Sequence, residues 1–442
     1  MREVLVKVEE FKDSPVGRIP EDWDVKTLGE LGTFQNGLNK GKKDFGFGTK
    51  FVNILDVYTP HINIEKLGRM NANQSEIASY QLEIGDILLD RSSVKLEGVG
   101  YPTVFEGADE PVIFCGFIIR FRLSTSTVKP RFLCEMMRDE FFRNRVFQIA
   151  TRSANVNVNQ EQLTKLWVTL PSVFKQEKII EILDTVDDAI AHTSSLITKL
   201  KQIKAGLLHD LLTRGLDENG QLRDAEAHPE EFKDSVLGRI PKEWEIRTCE
   251  SVCREIVVGI VIKPSQYYKP SGVPVFRSAN VREAGLDPSD LVFMSEQSNR
   301  ILAKSMIRTG DVLTVRTGYP GTSCVVSPDF DGANCVDIII SRPSAEINSA
   351  FLATWINSDF GKGQVLRVQG GLAQQHFNVG ELQKLLIAKP SIEEQRAIQT
   401  ILDTHNIRIR KEEAYLNKLK LQKQGLMHDL LTGKVRVKNT KN

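Results

Sequence analysis

Three polar stretches in the first half of the chain carry side chains suited to a polyanion. Lys40, Lys42 and Lys43 stand among Gly37, Gly41, Gly46 and Gly48. Lysine neutralises phosphate, and glycine lets a backbone approach a ligand closely. Arg91, Ser92, Ser93 and Lys95 follow the strand-like DILLD. Arg152, Asn155 and Asn157 lie in TRSANVNVNQ, residues 151–160. In a major groove arginine forks onto guanine and asparagine onto adenine. The second half offers different donors at matching places. Lys263, Gln266, Tyr267 and Tyr268 follow Gly259, Arg316, Thr317 and Tyr319 follow DVLTV, and Arg367, Gln369, Gln374, Gln375 and His376 fill a late loop.

No reaction centre accompanies these donors. The chain has no N-P-P-Y or D-P-P-Y motif for amino-methylation of bases. GLNKGKK, residues 37–43, has three residues between its glycines and ends in lysine, so it lacks the spacing and the hydroxyl of a phosphate loop. Pro328-Asp329 is followed by no D/E-x-K, no G-x-S-x-G elbow is present, and the seven histidines form no H-E-x-x-H. The six cysteines are scattered, and Cys249 and Cys253, one helical turn apart, have no second pair at zinc spacing. They read as buried reduced thiols. Neither a catalytic residue, a metal nor a cofactor is expected on this chain.

The elements that must position the donors occur twice. FKDSPVGRIPEDW at 11–23 returns as FKDSVLGRIPKEW at 232–244, and KLKQIKAGLLHDLLT at 199–213 returns as KLKLQKQGLMHDLLT at 418–432. His209 and His428 are 219 residues apart. They are expected to bond to Asp210 and Asp429, or to backbone, at a helix end. Trp23 and Trp244 are expected core anchors beneath a Gly-Arg-Ile-Pro turn. FVNILDV, DILLD and PVIFCGFIIRFRL predict strands, and residues 133–147 predict a helix. VPVFRSANV, GDVLTVR, CVDIIISRP and the helix-like AFLATWINSDFGKGQV repeat that order. Between these landmarks the two copies hardly resemble each other, which suits one fold with two binding surfaces.

Each copy leads through Pro171 or Pro390 into a long apolar-periodic run. The first seam is Ile179, Leu183, Val186, Ile190, Thr193, Ile197, Leu200, Lys204, Leu207 and Leu211. Its steps alternate four and three, a heptad pattern. The second seam keeps the phase with Ile398, Leu402, His405, Ile409, Glu412, Leu416, Leu419, Lys423, Leu426 and Leu430. A helix of about 40 residues spans about 60 Å, too long to bury its seam within one small domain. The two helices are expected to pair with each other. The polar linker at 216–231 is too short to retrace such a helix comfortably, so the pairing is expected to be antiparallel.

The 442 residues exceed one ordinary core. A net charge of +1 excludes a uniformly basic coat but not local basic faces. No run of about twenty apolar residues suggests a membrane span, and the charged N-terminus lacks a signal-peptide core, so a cytoplasmic protein with no membrane contact is expected.

Two units opening G-R-I-P-x-x-W, each leading through P-S-x-x-x-Q-E or P-S-I-E-E-Q into a long helix ending L-L-T, resemble the specificity (S) subunit of Type I restriction–modification systems. One local departure is Gln176-Glu177 against Glu394-Gln395. The resemblance implies an α+β chain. Two similar globular α/β target recognition domains are separated by two long helices that form an antiparallel coiled coil, with a pseudo-two-fold internal repeat. The expected boundaries are domain 1 at 1–170, helix at 171–215, linker at 216–231, domain 2 at 232–389, helix at 390–435 and tail at 436–442. It implies double-stranded DNA as ligand, docking of two modification (methyltransferase) subunits, and restriction subunits in the full complex. The methyl donor, ATP and Mg then belong to the partner subunits. The residues alone also suit an interaction scaffold with two protein-binding heads on a coiled-coil rod.

Overall fold

The computed structural model describes residues 5–7, 10–59, 61–152, 154–369 and 376–437. It divides into two compact units, one of residues 1–194 with 414–442 and one of residues 195–413. Unit 1 centres on a four-stranded antiparallel sheet in the order Pro102–Val104, Ile87–Asp90, Ile118–Leu123, Gly32–Asn36. Side chains alternate between its faces. Ile87, Leu89, Ile119 and Phe121 join a core with Phe132, Leu133 and Phe142. Leu88 and Ile118 join another with Phe51, Ile113 and Phe114.

Unit 2 repeats the sheet order with Ser323–Val325, Val312–Val315, Ile338–Pro343 and Cys253–Val258. Val312 and Ile339 face one core, and Leu313, Ile338 and Ile340 face the other. Beside each sheet runs a parallel strand pair, Phe45–Val52 with Val112–Phe114 and Val273–Phe276 with Asn334–Cys335. Trp23 and Trp244 are buried, and all six cysteines are free thiols.

Local chemistry redraws several expected elements. FVNILDV is a strand only to Val52. The Asn53 side chain then accepts the Ile54 amide and opens the 3-10 turn Ile54–Tyr58. The helix expected at 133–147 is two helices, Pro130–Arg138 and Glu140–Ile149, because Asp139 is extended and its carboxylate accepts the Phe141 amide. Ser358 breaks the second copy likewise, between Ser349–Asn357 and Asp359–Gln369.

The long helices are Val173–Thr213 and Ile392–Leu431. The second stops at Leu431, short of 435, and strand Val435–Val437 then pairs with Leu5–Lys7. Within unit 1 Ile179 and Leu183 share a core with Leu430 and Leu431, while Asp187 lies 2.7 Å from Lys423. Rising numbers meet falling ones, so these segments run antiparallel. Within unit 2 Leu211 and Leu212 share a core with Ile398 and Leu402, and Lys201 lies 2.6 Å from Glu413, again antiparallel. Of the seam positions, Ile179, Leu183, Val186, Ile197, Leu200, Ile398, Leu402, Ile409 and Leu419 are buried, and Ile190, Leu207, Leu416 and Leu426 are half-buried.

The start of each long helix is clamped by a fully buried glutamine. Gln176 accepts the Lys129 amide at 2.8 Å and donates to the carbonyls of Thr127 and Pro171 at 3.0 and 2.9 Å. Gln395 accepts the Asn348 amide at 2.7 Å and donates to the carbonyls of Glu346 and Pro390 at 3.1 and 3.0 Å. Every partner is displaced by the same 219 residues. The apparent departure at Gln176-Glu177 therefore vanishes, because Gln176 is the counterpart of Gln395. Glu394 serves unit 2 instead, taking Arg223 of the linker at 2.7 Å and the Trp244 indole at 3.0 Å.

Candidate nucleic-acid interface

Backbone hydrogen bonds gather the same loops in each unit. In unit 1 the Gly37 amide donates to Ile118, Arg91 to Phe117 and Val158 to Arg91, at 2.9–3.1 Å. In unit 2 the Gly259 amide donates to Ile338 at 2.8 Å and Phe377 to Arg316 at 3.0 Å. Arg91 is thus the counterpart of Arg316, Val158 of Phe377 and Phe117 of Asp337. The glycines serve this stitching and not a ligand. A Cβ on Gly37 would lie 2.1 Å from the Cys115 carbonyl oxygen, and one on Gly259 would lie 2.6 Å from that of Cys335.

In unit 1 a three-stranded ribbon joins Thr151–Arg152, Val156–Asn157 and Ser92–Ser93. It brings two of the three expected clusters together, Arg91, Ser92 and Lys95 with Arg152, Asn155 and Asn157. Lys95, Arg152 and Asn155 are exposed, Ser92 and Asn157 half-exposed. Arg91 is half-buried and turns its guanidinium toward the Gly116 carbonyl at 3.4 Å. The Asn157 amide donates to the Asn155 carbonyl at 3.0 Å. Beside the ribbon opens a cleft of 810 Å³ lined by Leu55, Tyr58, Ser92, Val94, Lys95, Phe117 and Asn155. Lys40 is not a free cation, since Glu76 holds it at 2.7 Å. Lys42 and Lys43 are exposed on a 3-10 turn closed by Asp44.

The cleft floor rests on two buried charges. The Asp90 carboxylate accepts the Tyr58 hydroxyl and, at 2.9 Å, the Ser92 amide. Burial pushes the Asp90 carboxyl up to about 6. Burial and the bond to Asp90 push the Tyr58 phenol up to about 12. Arg143 donates to the carbonyls of Gly100, Val99 and Glu97 at 2.7, 2.6 and 3.1 Å, and burial lowers it to about 10. These two side chains hold the segment 92–100 in place.

Unit 2 solves the same positions differently. Arg316 donates to Asp337 at 2.6 Å, to Asn378 at 3.0 Å and to the Phe377 carbonyl at 3.3 Å, and Thr317 donates to Asp337 at 3.1 Å. Arg316 was expected to meet a ligand, but its donors are spent on the loops around it. Asp337 takes a left-handed backbone, with φ of 53°. Lys263, Gln266, Tyr319, Arg367 and His376 are exposed, and Tyr267 is half-buried against Val275 and Met294. Gln374 and Gln375 lie outside the described residues. The repeated histidines stack on phenylalanines, His209 on Phe360 and His428 on Phe141, with centroids 5.8 and 5.3 Å apart. The expectation was a bond to the neighbouring aspartate or to backbone; the rings stack instead, and the His428 Nε2 also lies 2.6 Å from the Lys434 Nζ.

Tyr58, Asp90, Phe117 and Asp337 were not expected site residues. Phe117 and Asp337 lay inside runs that read as unbroken strand. The aspartate closing the apolar DILLD was the one available sign of a buried carboxylate. Among the described residues His228, Glu230 and Glu231 could converge on a cation, but all three are exposed acidic-cluster residues with nothing else pointing to an ion. No described helix is long and apolar enough to cross a membrane.

Both the sequence and the fold have known relatives. Residues 20–202 match the model of the Type I restriction modification DNA specificity domain. The putative type I restriction enzyme MjaX specificity subunit of Methanocaldococcus jannaschii is 28% identical over 98% of this chain and 98% of its own. The MjaVIII specificity subunit of the same organism is 24% identical over 98% and 97%. Two solved structures share the fold. The S subunit of the Type-I restriction-modification system from M. genitalium covers 92% of this chain and 96% of its own at 15% identity, with a TM-score of 0.54. A chain from a study of assembly and conformational transition of the type I R-M system covers 94% and 99% at 17% identity, with a TM-score of 0.57. Over nearly its whole length the chain is thus similar to specificity subunits of Type I restriction–modification systems.

Proposed function

We propose that the chain is the DNA sequence-specificity subunit of a Type I restriction–modification enzyme, each unit reading one half of an asymmetric bipartite site in double-stranded DNA. One observation carries the reading: the same loops meet at the same framework positions in both units, yet present different side chains. The chain catalyses nothing itself. Two modification subunits dock on it, with restriction subunits in the full complex. These partners supply the sites for the methyl donor, ATP and Mg. The complex works in the cytoplasm, away from any membrane.

The residues divide the labour by chemistry. Exposed Lys42, Lys43, Lys95, Arg152, Lys263 and Arg367 supply phosphate contacts, which give affinity and salt dependence but little sequence choice. Ser92, Asn155, Asn157, Gln266, Tyr267 and Tyr319 stand where base edges would be read. Arg91 and Arg316 position loops. The paired long helices set the unread gap between half-sites. Mapping methylated bases in the host genome tests the whole reading. The expected result is a two-part site with a fixed gap, lost when this chain is deleted. Methylation that persists unchanged without the chain would refute it.

A further inference from the structure

Position 117 is where the two units differ most in kind. In unit 2 its counterpart, Asp337, is consumed by Arg316 and Thr317. In unit 1 no carboxylate is there, and the Phe117 ring is 58% exposed. Leu55 and Val94 line the same cleft at 75% and 84% exposure. Three large apolar side chains lining one cleft cost solubility without adding to either core, which marks a contact surface. The cleft's other residues say what covers it. Lys95 in its lining is a cation for phosphate, Ser92 is a small hydroxyl donor and acceptor, and Glu97 is the one carboxylate of the lining. The floor is built and not accidental. Unit 1 buries Asp90 where unit 2 has the apolar Val315, and that carboxylate fixes the Tyr58 hydroxyl and the Ser92 amide from below.

Duplex DNA offers one apolar group to a protein reading its major groove, the 5-methyl of thymine. We propose that Phe117, with Val94 and Leu55, is the specificity-determining contact of the first half-site, and that it takes a thymine methyl. This rests on the DNA-specificity reading above. Unit 2 carries a neutralised arginine–aspartate pair at the matching place instead of the phenyl ring.

The test uses the complex of the full chain with its modification subunits and duplexes carrying the genomically mapped site. Each thymine is replaced in turn by deoxyuridine, which removes only the methyl. At one thymine or more the native complex should bind about fourfold more weakly, the value of one buried methyl group. In Phe117→Ala that methyl effect should disappear, while responses to changes in the other half-site persist. Persistence also shows that the variant is folded and assembled. Phe117→Leu should restore part of the discrimination. A site with no thymine that responds, or a Phe117→Ala complex with native discrimination, would overturn the inference and leave the specificity reading standing. Absence of any site-selective binding by the native complex would overturn both.

Discussion

At the scale of single residues, two ionisable groups behave as framework. Folded Asp90 keeps its proton up to about pH 6, against 3.8 for an ordinary aspartate. Between those values the folded state binds more protons than the unfolded one. Stability therefore falls as pH rises through this window, and the loss is complete above it. The shift of about two units, at about 1.4 kcal/mol each, amounts to about 3 kcal/mol. Asp90→Asn keeps an oxygen for the Ser92 amide and removes the charge. It should flatten denaturation midpoints between pH 4 and 6 and stabilise the protein at pH 7. Arg316 makes the opposite case, a partly buried cation with every major contact internal. Arg316→Ala should cost about 2 kcal/mol, because Asp337 loses its cation and keeps only the Thr317 hydroxyl. Footprints should show the second half-site weakened alike for every sequence variant, since positioning and not base choice is lost. Adding Asp337→Asn should recover part of that stability.

At the scale of elements, the buried glutamines test how closely the two copies share their physics. Gln176→Leu strands one amide and two carbonyls, and Gln395→Leu strands their counterparts. Each should cost about 3 kcal/mol, and chemical denaturation should give the two variants similar losses. A cost confined to one would mean that the clamps are not equivalent. Elements with long periodicity or repeated sequence were readable beforehand: both long helices followed from apolar spacing, and the 219-residue offset from the repeated segments. What stayed hidden depended on single polar groups competing for backbone. Asn53 ends a strand, Asp139 splits a helix, and Asp337 bends a run of isoleucines. The match of Gln176 to Gln395 was missed because Glu177 follows the first glutamine whereas Glu394 precedes the second. Loop donors such as Lys40 and Arg316 looked free because their partners, Glu76 and Asp337, lie 36 and 21 residues away.

At the scale of the whole molecule, the long helices carry the proposed spacing function. Inserting seven residues in register into both would lengthen each by about 10 Å, or about 3 bp of duplex at 3.4 Å per base pair. Methylome mapping should then show both half-sites kept and the gap enlarged. The chain's order in the fold has a consequence for its manufacture. Residues 195–413 form one unit without interruption, whereas the other needs residues 414–437 to complete it. Leu430, Leu431 and Val437 fill the core around Phe132 and Phe142, and Val435–Val437 pairs with Leu5–Lys7. Domains usually mature on the ribosome in the order in which they are translated. Here the half translated first is finished second, and a chain cut short near residue 430 would injure the unit encoded first.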